Sequence, residues 1–63
     1  MSRAAIVMAK GTQLWIGLLV FDQRNQSRMR YYTNVPAWKQ KLPRTIQAWH
    51  DERDAAMPID KIP

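Results

Sequence analysis

The chain offers one acid–base cluster, His50-Asp51-Glu52. An imidazole beside carboxylates can move protons near neutral pH. Catalysis also needs a nucleophile or a metal and a pocket that gathers the parts, and no other residues here fill those roles. A zinc site fails for lack of ligands, with one histidine and no cysteine in the chain. Gly11 and Gly17 are the only glycines, so no glycine-rich loop could cradle a phosphate. His50 and its neighbours read as a solvated surface pair on a helix. The chain reads as a binder, not an enzyme, with no cofactor.

What it binds is written in its charge. Ten Lys and Arg stand against five Asp and Glu, a net charge of +5 on 63 residues. Such a balance favours an anionic partner. Arg24, Arg28, Arg30, Lys39, Lys41 and Arg44 fall in a stretch without an acid, whereas residues 51–60 hold four acids and one Arg. Cations grouped in this way favour contact with phosphates over a merely solvated face. Four aromatics lie near them: Tyr31, Tyr32, Trp38 and Trp49. A base stacked on an aromatic is worth about 1–3 kcal/mol. Tyr31 and Trp49 fall on apolar faces and read as core, which leaves Tyr32 and Trp38 for contact. The expected RNA-binding set is therefore Arg24, Arg28, Arg30, Tyr32, Trp38, Lys39, Lys41 and Arg44.

These residues need elements to position them. Residues 13–33 read as a β-hairpin. Leu14 to Phe21 is aromatic, aliphatic and β-branched, as a buried strand is. Its even positions (Leu14, Ile16, Leu18, Val20) and its odd ones (Trp15, Gly17, Leu19, Phe21) are both free of charge, so both faces need cover. Gly17 removes a side chain mid-strand and marks a bulge or a close approach by another backbone or an RNA strand. Residues 22–27 contain no glycine and read as a flexible tip carrying Arg24. In residues 28–33, Met29, Tyr31 and Thr33 share one face, and Arg28, Arg30 and Tyr32 the other.

Pro36 ends the hairpin, and residues 34–44 form a basic connector. From Pro43 to Met57 the pattern predicts a helix, with Ile46, Trp49, Arg53, Ala56 and Met57 near one face. Asp51, Glu52 and Asp54 oppose that assignment, because acids near a helix C-terminus cost about 0.3–1 kcal/mol each. A shorter helix beginning near His50 would place them in its first turns. Residues 45–57 are accordingly strand or short helix, and 58–63 an extended tail. Ala4 to Met8 is an apolar tail or a short edge strand. Arg3 and Ser2, in an acid-poor start, give slight support to organelle import.

Sixty-three residues make a single small domain, 1–63. So short a chain buries only roughly 60% of its unfolded surface, and here no disulfide reinforces it. It is expected to be ordered mainly within an assembly. The longest clean apolar run, residues 14–21, is too short for a spanning helix, which needs about 20 residues.

The order of several short motifs resembles the bacterial-type large-subunit ribosomal protein family numbered thirty-three, in its organellar form. Met8-Ala9-Lys10-Gly11 is similar to that family's opening. Leu19-Val20 and Tyr32-Thr33-Asn34 resemble its first two strands. Lys41-Leu42 and Thr45-Ile46-Gln47-Ala48-Trp49-His50 resemble its third strand and the corner after it. The chain departs from the family in its glycine-free hairpin tip, in having no paired cysteines, and in the acidic stretch 51–57. The resemblance implies an antiparallel three-stranded sheet lying on ribosomal RNA, with strand three near Leu42 to Ile46.

The expected fold is small and β-rich, an antiparallel β-hairpin or three-stranded sheet with extended termini and a short C-terminal helix. The expected function is that of a structural rRNA-binding component of a large ribosomal subunit in the mitochondrion, with ribosomal RNA and neighbouring ribosomal proteins as partners. One alternative is an accessory subunit of a respiratory membrane complex, with Ala4–Phe21 as an interrupted helix. Another is a phage-type inhibitor of a host protein.

Overall fold

The computed structural model describes residues 4–63. Ser2 and Arg3, named above for organelle import, lie outside the described residues. The elements run β1 (Ala4–Lys10), β2 (Gln13–Phe21), β3 (Ser27–Thr33), a 3-10 turn (Pro36–Trp38), α1 (Arg44–Asp54) and β4 (Ile59–Lys61). They form one sheet in the order β1-β2-β3-β4, mostly β with a short C-terminal helix. The expected hairpin is present, and the apolar start is its edge strand.

Each connection has a local cause. Gly11 sits at φ +61°, the left-handed region that the first central residue of a two-residue hairpin turn requires, and Lys10 pairs with Gln13 across it. The second turn carries its own hydrogen bonds. Asp22 Oδ1 accepts from the backbone N–H groups of Arg24 and Gln26, both at 2.9 Å. Asn25 takes φ +62°, the left-handed conformation that asparagine tolerates better than most residues. An aspartate and an asparagine thus do what a glycine-bearing tip would do.

β2 pairs antiparallel with both neighbours, and β4 lies parallel to β3. Parallel neighbours need a crossover, and residues 34–58 supply it, with α1 inside. The tail read as extended is therefore paired in part as a strand. The third strand expected near Leu42 to Ile46 is instead a loop and the first turn of α1. Ala4–Phe21 is two strands, not an interrupted helix, and no helix among the described residues is long and apolar enough to cross a membrane.

α1 begins at Arg44, not near His50, despite the acids in its last turns. Two of those acids, Asp51 and Asp54, find local partners. Asp51 Oδ1 accepts from Gln47 Nε2 at 3.0 Å, and Asp54 Oδ1 accepts from the Ala56 N–H at 3.0 Å, just past the helix end. These hydrogen bonds offset the unfavourable dipole.

The helix covers one sheet face. Trp15, Met29, Tyr31, Ile46 and Met57 form the buried core, with Ile6, Met8, Leu19, Val35, Trp38, Leu42, Trp49 and Ile59 packed against it. Gly17 is buried there, and its close neighbours are side chains of this chain, not another backbone or an RNA strand: a Cβ at that position would meet Ile6 Cγ2 at 3.0 Å, Met29 Sδ at 3.3 Å and Ile46 Cγ2 at 3.4 Å. His50 is not a solvated surface residue. It is 2% exposed. Its Nε2 donates to the Met57 carbonyl oxygen at 2.7 Å, and its Nδ1 lies 2.8 Å from Asp51 Oδ1. The buried helical stripe is thus Ile46 and His50, with Trp49 half-buried and Arg53 and Ala56 exposed.

Candidate nucleic-acid interface

Strand alternation sends every second side chain of the sheet away from α1. β1 presents Ala5, Val7 and Ala9 there, β2 presents Leu14, Ile16, Leu18 and Val20, β3 presents Arg28, Arg30 and Tyr32, and β4 presents Asp60. The register builds rows across this open face. Val7, Ile16 and Tyr32 make one, and Ala5, Leu18, Arg30 and Asp60 the next. Val20 pairs with Arg28 in a third. The face is therefore apolar over β1 and β2 and cationic over β3. Val7 (61%), Tyr32 (38%) and Leu18 (37%) are its exposed large apolar side chains.

The eight expected RNA-contact residues fall into two groups. Arg28, Arg30 and Tyr32 share the open face, and Arg24 is exposed at the adjoining turn. Trp38, Lys39, Lys41 and Arg44 lie on the helix side. The Tyr31 hydroxyl, which points to that side, donates to the Trp38 carbonyl oxygen at 2.8 Å, with the Lys41 carbonyl oxygen at 3.2 Å. Burial pushes the Tyr31 phenol above its ordinary pKa. One flat surface cannot meet both groups at once. The cations adjacent in sequence from 24 to 44 are divided between opposite faces because the connector crosses over the core.

Trp38 is not a free stacking platform. Its half-buried ring packs on the core, with Lys41 Nζ 4.7 Å from its centroid. Lys39 is half-buried. Trp49 carries a comparable cap, with Arg53 Cζ 4.0 Å from its ring. Of the two aromatics expected to contact RNA, only Tyr32 offers an exposed ring on the sheet.

Arg28 has a partner that charge patterning alone did not reveal. Its Nε donates to Asp60 Oδ2 at 2.9 Å and its Nη2 to Asp60 Oδ1 at 2.7 Å. The hydrogen bond to Arg28 holds the Asp60 carboxyl below the usual carboxylate range, and the same bond raises the Arg28 guanidinium. Arg30 sits directly across from Asp60 in the β3–β4 register. Asp60 was missed because the sequence carries no sign that residues 59–61 return beside β3.

Beside this pair, Val20, Phe21, Asp22, Arg28, Arg30 and Asp60 line an open recess of about 390 Å³. Among the described residues no three His, Cys, Asp or Glu side chains are grouped to hold a metal ion. No protein-family model matches this chain, and no curated protein or solved structure matches it significantly.

Proposed function

We propose that this protein binds RNA through the open face of its sheet, without catalysis, as a structural component of a large ribosomal subunit. The observation that carries the reading is the joint exposure of Arg30 and Tyr32 on that face, with Arg24 at its end. A guanidinium supplies phosphate contact and an aromatic ring supplies stacking. The helix-side cations, beside a Trp38 ring that already packs inward, support it less.

The apolar half of the same face supports placement within an assembly. Val7, Ile16 and Leu18 lie together and would be covered by neighbours there. The ribosomal setting comes from the order of the short motifs described above. The helix at Arg44–Asp54 departs from the third strand that resemblance implied, so the open face carries the reading and the resemblance only names the assembly.

The test has two parts. Purified protein is titrated against labelled fragments of large-subunit ribosomal RNA at several salt concentrations. The tagged full chain is also followed through a sucrose gradient of lysate in mild detergent. Salt-sensitive binding and sedimentation with large subunits are expected. Absence of salt-sensitive binding overturns the RNA reading. RNA binding without co-sedimentation overturns the ribosomal assignment alone, and migration with a membrane complex replaces it.

A further inference from the structure

The Arg28–Asp60 pair deepens that reading, on which it rests. An arginine that merely neutralises phosphate gains nothing from a bound carboxylate. An arginine that must present a fixed edge does gain, because the carboxylate sets the plane of the guanidinium. Asp60 grips Arg28 side-on, through Nε and Nη2. Two of the five N–H bonds of the guanidinium are used, and its terminal edge, between Nη1 and Nη2, faces away from Asp60. That edge is a two-donor fork.

The surroundings decide what the fork takes. The recess beside it contains two carboxylates, Asp22 and Asp60, and two guanidiniums, Arg28 and Arg30. Its local charge is balanced, so a phosphate there would gain little from Arg28 and would meet two acids. Val20 and Phe21 form apolar walls. A neutral, flat ligand with two adjacent acceptors fits better. Among the major-groove edges of the bases, guanine's presents two acceptors side by side, N7 and O6, and arginine pairs with them through two N–H bonds. Sequence-specific RNA recognition is directed mainly at unpaired bases, whose edges are accessible. We propose that Arg28, positioned by Asp60, reads the N7/O6 edge of an unpaired guanine, while Arg24 and Arg30 hold the flanking phosphates.

The probe is a set of short, unstructured, fluorescein-labelled RNAs that differ at one central base: guanine, inosine, 7-deazaguanine or adenine. Affinity for the wild-type chain is read by anisotropy at fixed salt, and again as salt rises. Inosine keeps N7 and O6 and should bind like guanine. Adenine replaces O6 with a donor and should bind roughly 5- to 150-fold more weakly. The loss of N7 in 7-deazaguanine should weaken binding by an intermediate factor. Asp60→Asn and Arg28→Lys should bring the four RNAs together while salt-sensitive binding persists. Equal affinity of the wild type for all four, with salt sensitivity intact, overturns the guanine assignment and leaves the phosphate reading standing. No salt-sensitive binding to any RNA overturns both. Undiminished discrimination in folded Asp60→Asn overturns the positioning role of Asp60. The wild-type series needs no variant to fold.

Discussion

The imidazole of His50 ties the helix to the segment that leads into β4: Nε2 donates to the carbonyl oxygen of Met57 across 2.7 Å, and the ring is 2% exposed. A carbonyl oxygen can only accept, so Nε2 carries a proton. Without this bond the chain after α1 would leave a buried carbonyl unpaired just before β4, and β4 carries Asp60. The residue that looked most like chemistry in the sequence is part of the frame that positions the open face.

Replacing His50 with alanine should therefore cost more than about 2 kcal/mol, from the unpaired Met57 carbonyl and the cavity together. Total stability for a chain of this length is roughly 3–9 kcal/mol. Glutamine can place a donor near the Nε2 position and should cost less than alanine. Urea unfolding measures both variants. A His50→Ala midpoint equal to wild type would remove the clamp from the account.

Gly17 lies beneath Ile46, and the contact fixes the sign of a substitution. Valine has the better strand propensity, worth up to about 1 kcal/mol. Its Cβ, however, would meet Ile6 at 3.0 Å and Met29 at 3.3 Å before its methyl groups are placed. Overpacking of this kind costs about 1–3 kcal/mol. Gly17→Val should lower the melting temperature, and Gly17→Ala should lower it less. A rise for valine would show that Ile6, on the edge strand, simply moves aside.

The alternation in residues 28–33 was legible because a strand has a strict period of two, so the placing of Tyr31 in the core and Arg30 and Tyr32 outside followed from the residues alone. The helix was legible from Pro43 and from Ile46 and Trp49. Its start was blurred by acids whose local partners, Gln47 and the Ala56 N–H, appear only in the folded chain. Two features were not legible. The connector from 34 to 43 crosses to the helix side, and no periodic pattern records which way a loop turns. β4 is three residues long and pairs with a strand about 30 residues earlier, too short and too distant for local pattern to register. The division of the cations and the Arg28–Asp60 pair follow from those two features.

Acid should loosen the fold through Asp51 and Asp60. Hydrogen bonding with His50, then with Gln47, lowers the Asp51 pKa, and hydrogen bonding with Arg28 lowers that of Asp60. A carboxylate depressed in the folded state contributes stability that is present above its unfolded pKa and is lost as pH falls through the folded value. Melting temperature should thus lose these two contributions as pH drops below about 4. Asp51→Asn and Asp60→Asn should each flatten that acid limb. An acid limb identical in wild type and both variants would place the acid sensitivity elsewhere.

Salt dependence separates the two faces. Removing one phosphate-bound cation should lower the slope of log affinity against log salt by roughly 0.7–0.9. Arg24 and Arg30 are exposed at the open face, so Arg24→Ala and Arg30→Ala should each remove about one such unit. Arg28 lies between them in sequence but is bound to Asp60 at 2.7 Å, and its charge is largely spent on that carboxylate. Arg28→Ala should change the slope less than either neighbour. Lys41 and Arg44 stand on the helix side, where Lys41 already covers the Trp38 ring, so Lys41→Ala and Arg44→Ala should leave the slope alone. Unfolding is excluded by checking that each variant keeps the wild-type circular dichroism spectrum. The informative contrast is Arg30 against Arg44, two cations of one type on opposite faces. If Arg44→Ala flattens the slope and Arg30→Ala does not, the RNA lies on the helix side and the open face belongs to a protein neighbour.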